Sequence, residues 1–181
     1  IYLDGLAKEQ TAFTLMVISL DIVIDPVLGD ATNRHTCEYW LDAIRKGYVI
    51  AMLAGPPCES WSKARSVPLT SEEPAPGVAS TRGPCIIRDI DNLWGMESVT
   101  LRELQQLFVG NALLAFALLA LMELAIAGGH GMIEHPAEPD EQCAASIWRL
   151  PLVRAILRLP HTELLRFSQG LMGAKSSKPT H

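Results

Sequence analysis

The chain has 181 residues, 49% of them hydrophobic and 19% charged, with a formal net charge of −5. That size and apolar content fit one domain able to bury a real core, and they exclude both a disordered tail and a small scaffold stapled by metals or disulfides. The charge is uneven: residues 1–144 hold nineteen acidic and nine basic side chains and residues 145–181 hold one and six, so a basic tail follows an acidic body.

Phe13–Leu20 (FTLMVISL) is a continuous apolar run rich in β-branched residues and ending at Asp21. Such a run reads as a strand buried on both faces. Turn residues follow at Asp25–Asp30 (DPVLGD). Cys37–Lys46 places Tyr39 or Trp40, with Ala43 and Ile44, on one side of a short amphipathic helix, and Gly47 is a fitting stop. Tyr48–Leu53 (YVIAML) reads as a second buried strand, closed by Ala54, Gly55, Pro56 and Pro57. Strand, helix, strand with a helix-length crossover predicts parallel strands and an α/β fold.

Residues 62–96 show no sustained period, and Pro68, Pro74, Pro76 and Pro84 exclude a long helix or an inner strand, so a long mobile loop is expected within the single domain. Thr100-x-x-Glu103 is a capping box opening an apolar helix to Ala127, which Gly128 and Gly129 end. At ~1.5 Å per residue this helix approaches 40 Å. It is long and apolar enough to raise the question of a membrane span. A helix buried against a sheet reads the same way, and its neighbours have the character of a soluble domain. His130–Glu134 (HGMIE) is a third strand, stopped by Pro136; Pro151–Leu159 is a helix with proline at its start; Thr162–Phe167 is a fourth strand; and Ser168–His181 reads as loop.

In parallel α/β sheets, sites form at the carboxyl ends of strands. Two segments stand there: Gly55-Pro56-Pro57-Cys58-Glu59-Ser60-Trp61-Ser62 after the second strand, and Glu134-His135-Pro136 after the third. Two prolines make a stiff turn that holds Cys58 out of the core, an odd place for a thiol with only a packing role. A thiol and a carboxylate converging on one sheet edge point to covalent catalysis, the thiolate attacking and the acid managing a proton. No Cys/His/Asn protease signature surrounds Cys58, and no zinc-deaminase pattern is present. The four cysteines form no CxxC, which argues against a zinc site and for a reducing, intracellular compartment, nuclear or cytoplasmic. Cys37, Cys85 and Cys143 read as packing or exposed thiols. His135 reads as a solvated loop histidine, Glu59 as an exposed side chain without a role, and Arg149, Arg154 and Arg158 as a solvated helix face.

These segments resemble the cytosine-C5 DNA methyltransferases. Pro56, Pro57, Cys58, Trp61 and Ser62 match that family's P-P-C-x-x-[F/W]-S turn, and Glu134 and Pro136 match its E-N-[V/P] motif, with His135 in the asparagine place. The resemblance implies a Rossmann-like S-adenosylmethionine-dependent fold, with an incomplete parallel-type sheet and helices on both faces. It implies Cys58 and Glu134 as catalytic residues, Asp21, Asp30 and Pro56 as contacts of S-adenosylmethionine, and Ser62 and Lys178 as contacts of the substrate. The partner implied is DNA, or RNA by the same chemistry, with Lys63, Arg65, Arg82 and Arg88 meeting phosphates; no metal is expected. The family's Gly-rich first motif is not found and is expected upstream of Ile1, with the target-recognition region beyond His181, so 1–181 reads as a partial catalytic domain. Alternatives from other classes are an amino-group methyltransferase, against which Cys58 in the aromatic position argues, an inactive fragment or binding module left by a mobile element, and a membrane-associated protein built on the 101–127 helix.

Overall fold

The computed structural model describes residues 16–20, 23–61, 85–168 and 179–180. Helix α1 spans Arg34–Arg45 and begins three residues before the sequence places it, because Asn33, in an extended conformation, caps it by accepting from the His35 amide at 2.9 Å. Its end is a Schellman motif: Gly47 at φ 75° lets its own amide reach Ile44 O and that of Tyr48 reach Ala43 O, both at 2.9 Å. The long apolar helix, α2, runs Leu101–Ala127 with both halves of the expected capping box formed and Gly128 as the left-handed cap.

Strands β1 (Ala51–Ala54) and β2 (His130–Ile133) pair in parallel, Ala51 opposite His130 and Ala54 opposite Ile133, with α2 in the connection between them. The result is a mixed α/β architecture with a two-stranded parallel sheet. Close approach of helix end to sheet requires glycine at position 129: a β-carbon there would stand 2.7 Å from Leu124 Cδ2 and 3.0 Å from Ile50 O. A 3-10 turn (Ile147–Arg149) and helix α3 (Pro151–Ile156) follow, with Pro151 at the start of α3 as expected.

Helix α2 is apolar all round because it serves two cores. Leu114 and Leu118 pack with Trp61, Ile147, Leu150, Val153 and Ile156. Ala120 and Leu124 pack with Leu41 and Ile44 of α1, joined by Val49 and Met52. Two of its polar residues are tied to neighbouring segments: Asn111 donates to Trp94 O at 2.8 Å, and Glu123 accepts two hydrogen bonds from Arg45 of α1.

Several expectations need correction. Residues 16–20 are not a strand but an exposed segment, Met16 being 75% and Val17 71% accessible. Among the described residues no strand pairs with β1 on the side away from β2, and this run does not occupy that open edge. β1 is not doubly buried: Met52 and Ala54 are partly buried on one face, while Ala51 and Leu53 are exposed on the other. Thr162–Arg166 is not a strand either. A cavity of about 470 Å³ lies between it and β2, and a segment without a partner edge makes no ladder. Only Phe167–Ser168 (β3) pairs, antiparallel to Pro179–Thr180 (β4), in a region read as loop. Of the long loop at 62–96, residues 85–96 are described; they are irregular but packed, with Ile87 and Arg88 buried.

The two-core role of α2 sets an expected outcome. Leu124→Ala, at a fully buried position, lowers the unfolding free energy by about 2–5 kcal/mol. Leu101→Ala, at a position 75% exposed, shifts it by less than about 0.5 kcal/mol. Urea titration of the two variants beside the parent chain measures the contrast.

Candidate active site

Cys58 stands four residues beyond the end of β1. Pro56 is buried, Gly55 and Pro57 are exposed, and Cys58 is half-buried, so the thiol is neither sealed in the core nor fully in solvent. The Trp61 amide donates to Cys58 O at 2.9 Å and closes a turn over Glu59 and Ser60. Glu134 is the first residue beyond β2. Its amide donates to Ala54 O at 2.9 Å and carries the ladder one rung past the strands. Its Oε2 lies 3.9 Å from the point where a β-carbon on Gly55 would stand. That is an ordinary van der Waals distance, so the Glu134 carboxylate lies beside Gly55 at the end of the sheet. Pro56, Cys58 and Glu134 are thus brought to one edge of one parallel pair.

A second contact joins the two segments. His135 is 2% exposed, not solvated as its loop position predicts. Its ring meets Trp61 edge-to-face at a centroid distance of 6.1 Å and Trp148 at 6.5 Å, and the Trp148 indole N–H donates to Pro136 O at 2.8 Å. The turn bearing Cys58 and the segment bearing Glu134 therefore share one aromatic stack.

Two further residues, Arg88 and Glu59, tie this turn to the rest of the molecule, and a third, Arg149, holds the segment after Pro136. Arg88, expected to meet phosphates, lies buried among protein groups. It is 3% exposed, its guanidinium carbon lies 4.1 Å over the Trp61 ring, Nε donates to Ser60 Oγ at 3.0 Å and Nη1 donates to Leu93 O at 2.7 Å. The available signal was the apolar Cys85-Ile86-Ile87 run immediately before it. Glu59 is engaged rather than idle, accepting from Gln106 Nε2 of α2 at 3.0 Å. Arg149 is likewise not a solvated side chain: Nε donates to Glu138 Oε1 at 2.7 Å and Nη1 to Gln142 O and Ala144 O, which clamps the connection after Pro136.

The remaining expected site residues do not gather here. Asp21, Ser62 and Lys178 lie outside the described residues, as do Lys63, Arg65 and Arg82. Asp30 sits in the turn before α1, where its Oδ1 accepts from the Thr32 hydroxyl at 2.6 Å and the Thr32 amide at 3.0 Å. Those hydrogen bonds, the hydroxyl first, hold its carboxyl below the usual carboxylate range. Of the residues expected to contact S-adenosylmethionine, Asp30 and Pro56 are described, and neither lines the cavity beside β2. Asp30 is committed to Thr32, Pro56 is buried, and the 470 Å³ cavity lies between β2, α2, α3 and residues 160–167, with Glu134 but not Cys58 in its wall. No family model, curated protein or solved structure matches the chain.

The thiols separate by environment. Cys85 and Cys143 are exposed, whereas Cys37 donates to Ala31 O at 3.2 Å, and burial, with the Asp30 charge second, pushes its pKa up. Iodoacetamide labelling followed by peptide mass spectrometry is expected to modify Cys85 and Cys143 first and Cys37 last, the Cys37 rate still climbing above pH 9.0, the ordinary thiol value. Cys37 labelling as fast as Cys85 at neutral pH contradicts this placement.

Proposed function

We propose that this chain belongs to a Rossmann-like, S-adenosylmethionine-dependent catalytic domain that methylates cytosine C5 in DNA through a covalent adduct with Cys58. The observation that carries the reading is the Glu134 carboxylate against Gly55, three residues from the Cys58 thiol, at the shared carboxyl edge of β1 and β2. A nucleophile and an acid held on one edge, each on a segment buried behind it, are what attack on a flat ring requires.

Cytosine C5 is a poor nucleophile in the free base. Addition of the Cys58 thiolate to C6 consumes the C5–C6 double bond and moves its electron pair onto C5. Glu134 gives a hydrogen bond to N3 and accepts one from the exocyclic amine, which spreads the developing charge. S-adenosylmethionine, when bound, supplies the electrophilic methyl group. Departure of the C5 proton then returns an electron pair to the ring and expels the thiolate from C6, restoring both Cys58 and the aromatic base. An edge-bound thiol cannot reach C6 in a stacked duplex, so the cytosine leaves the helix first.

The addition step can be followed without the methyl donor, because a ring with Cys58 on C6 takes a solvent proton at C5 and loses its original one. DNA carrying tritium at cytosine C5 should therefore release tritium to water. Cys58→Ala abolishes release while far-ultraviolet circular dichroism stays at the parent level, and Glu134→Gln slows it about 10²-fold. Undiminished release from Cys58→Ala overturns the assignment of the nucleophile. With the methyl donor added, methyl found on the exocyclic amine rather than C5 overturns the reaction class.

A further inference from the structure

We infer that Arg88 is the positioning residue of the Cys58 turn, its guanidinium stacked on Trp61 and bonded to Ser60 so as to fix where the thiol stands relative to Glu134; its catalytic meaning rests on the reading proposed above. The turn from Cys58 to Trp61 is closed by one backbone hydrogen bond. Its far end, Ser60 and Trp61, is buried, and Arg88 grips both residues through different surfaces: the edge of the guanidinium donates to Ser60 Oγ and its flat face covers the Trp61 ring. Nη1 anchors the same group to Leu93 O, so the clamp is itself held in place. Behind it, a β-carbon on Gly110 of α2 would stand 3.6 Å from Ser60 Oγ and 3.7 Å from Arg88 Nη2. A methyl group would touch both, and a larger side chain would push the pair away.

Chemistry explains the choice of side chain. Burying a guanidinium costs desolvation that an apolar side chain of equal length avoids. What arginine adds is direction: a rigid plane that donates along its edges to two partners while stacking through its face. Lysine keeps the charge but offers neither the fork nor the plane. Because Trp61 also meets His135, next to Glu134, movement of the Arg88–Trp61 pair alters the spacing of the two catalytic segments.

The test uses Arg88→Lys and Arg88→Met in the full chain, at a temperature where each variant gives the parent circular dichroism. Tritium release from DNA is resolved into kcat and KM, and iodoacetamide labelling of Cys58 is scored against Cys85 in the same molecule. Both variants are expected to lose about 10²-fold in kcat with KM for DNA within about twofold, lysine failing to rescue, and the Cys58 labelling rate shifted relative to Cys85. Unchanged kcat and labelling in the folded variants, or a rise in KM alone as for a phosphate contact, overturns the inference. Should neither variant fold, Ser60→Ala removes one grip while Trp61 keeps the other; parent-level kcat and labelling in that variant overturn it equally. If the parent chain releases no tritium, the methyl-transfer reading fails and the labelling comparison still decides whether Arg88 places the thiol.

Discussion

Parallel pairing of two four-residue strands is the constraint on which the site depends. Because β1 and β2 run the same way and in register, the segments that leave them, one bearing Cys58 and the other Glu134, emerge side by side. Antiparallel pairing would send the same two segments to opposite ends of the sheet. The register matters as much as the direction. Ala54 faces Ile133, and the Glu134 amide donates to Ala54 O, so Glu134 starts level with Gly55. A slip of one residue would turn that side chain to the other face.

Parallel neighbours need a long return connection, and α2 supplies it. Its 27 residues pass by length and composition as a membrane span. Here the helix packs against α1, both strands and α3, with Leu114 and Leu118 turned to one core and Ala120 and Leu124 to the other. Its first turns keep Leu101, Leu104 and Phe108 exposed. The same helix reaches the site directly through Gln106, which binds Glu59, and through Gly110, which makes room for Arg88 and Ser60. Packing and chemistry are therefore not separable in this chain: Trp61 belongs at once to the core and to the turn that carries the thiol.

That coupling gives a physical account of His135, where the chain departs from the pattern it resembles. The residue after Glu134 faces inward, and an imidazole between the rings of Trp61 and Trp148 fills a space an asparagine would leave partly open. The ring contacts tie the Glu134 segment to Trp61 and Trp148.

Local signals were enough for some of this. The capping box and double glycine marked the ends of α2 correctly, Gly47 marked the end of α1, and the prolines after each apolar run located the Cys58 and Glu134 segments, because capping and turn chemistry depend on residues within a few positions of one another. The adjacency of those segments followed from the strand–helix–strand order. Other features depended on what lies across space. The runs at Phe13–Leu20 and Thr162–Phe167 have strand character, yet a strand exists only where another edge accepts its hydrogen bonds, and their described residues outside β3 find none. Whether Arg88, His135 and Arg149 face water or protein was likewise decided by Trp61, Trp148 and the 138–144 segment, since a charged or aromatic side chain is buried only where the tertiary fold brings it partners that repay its lost hydration.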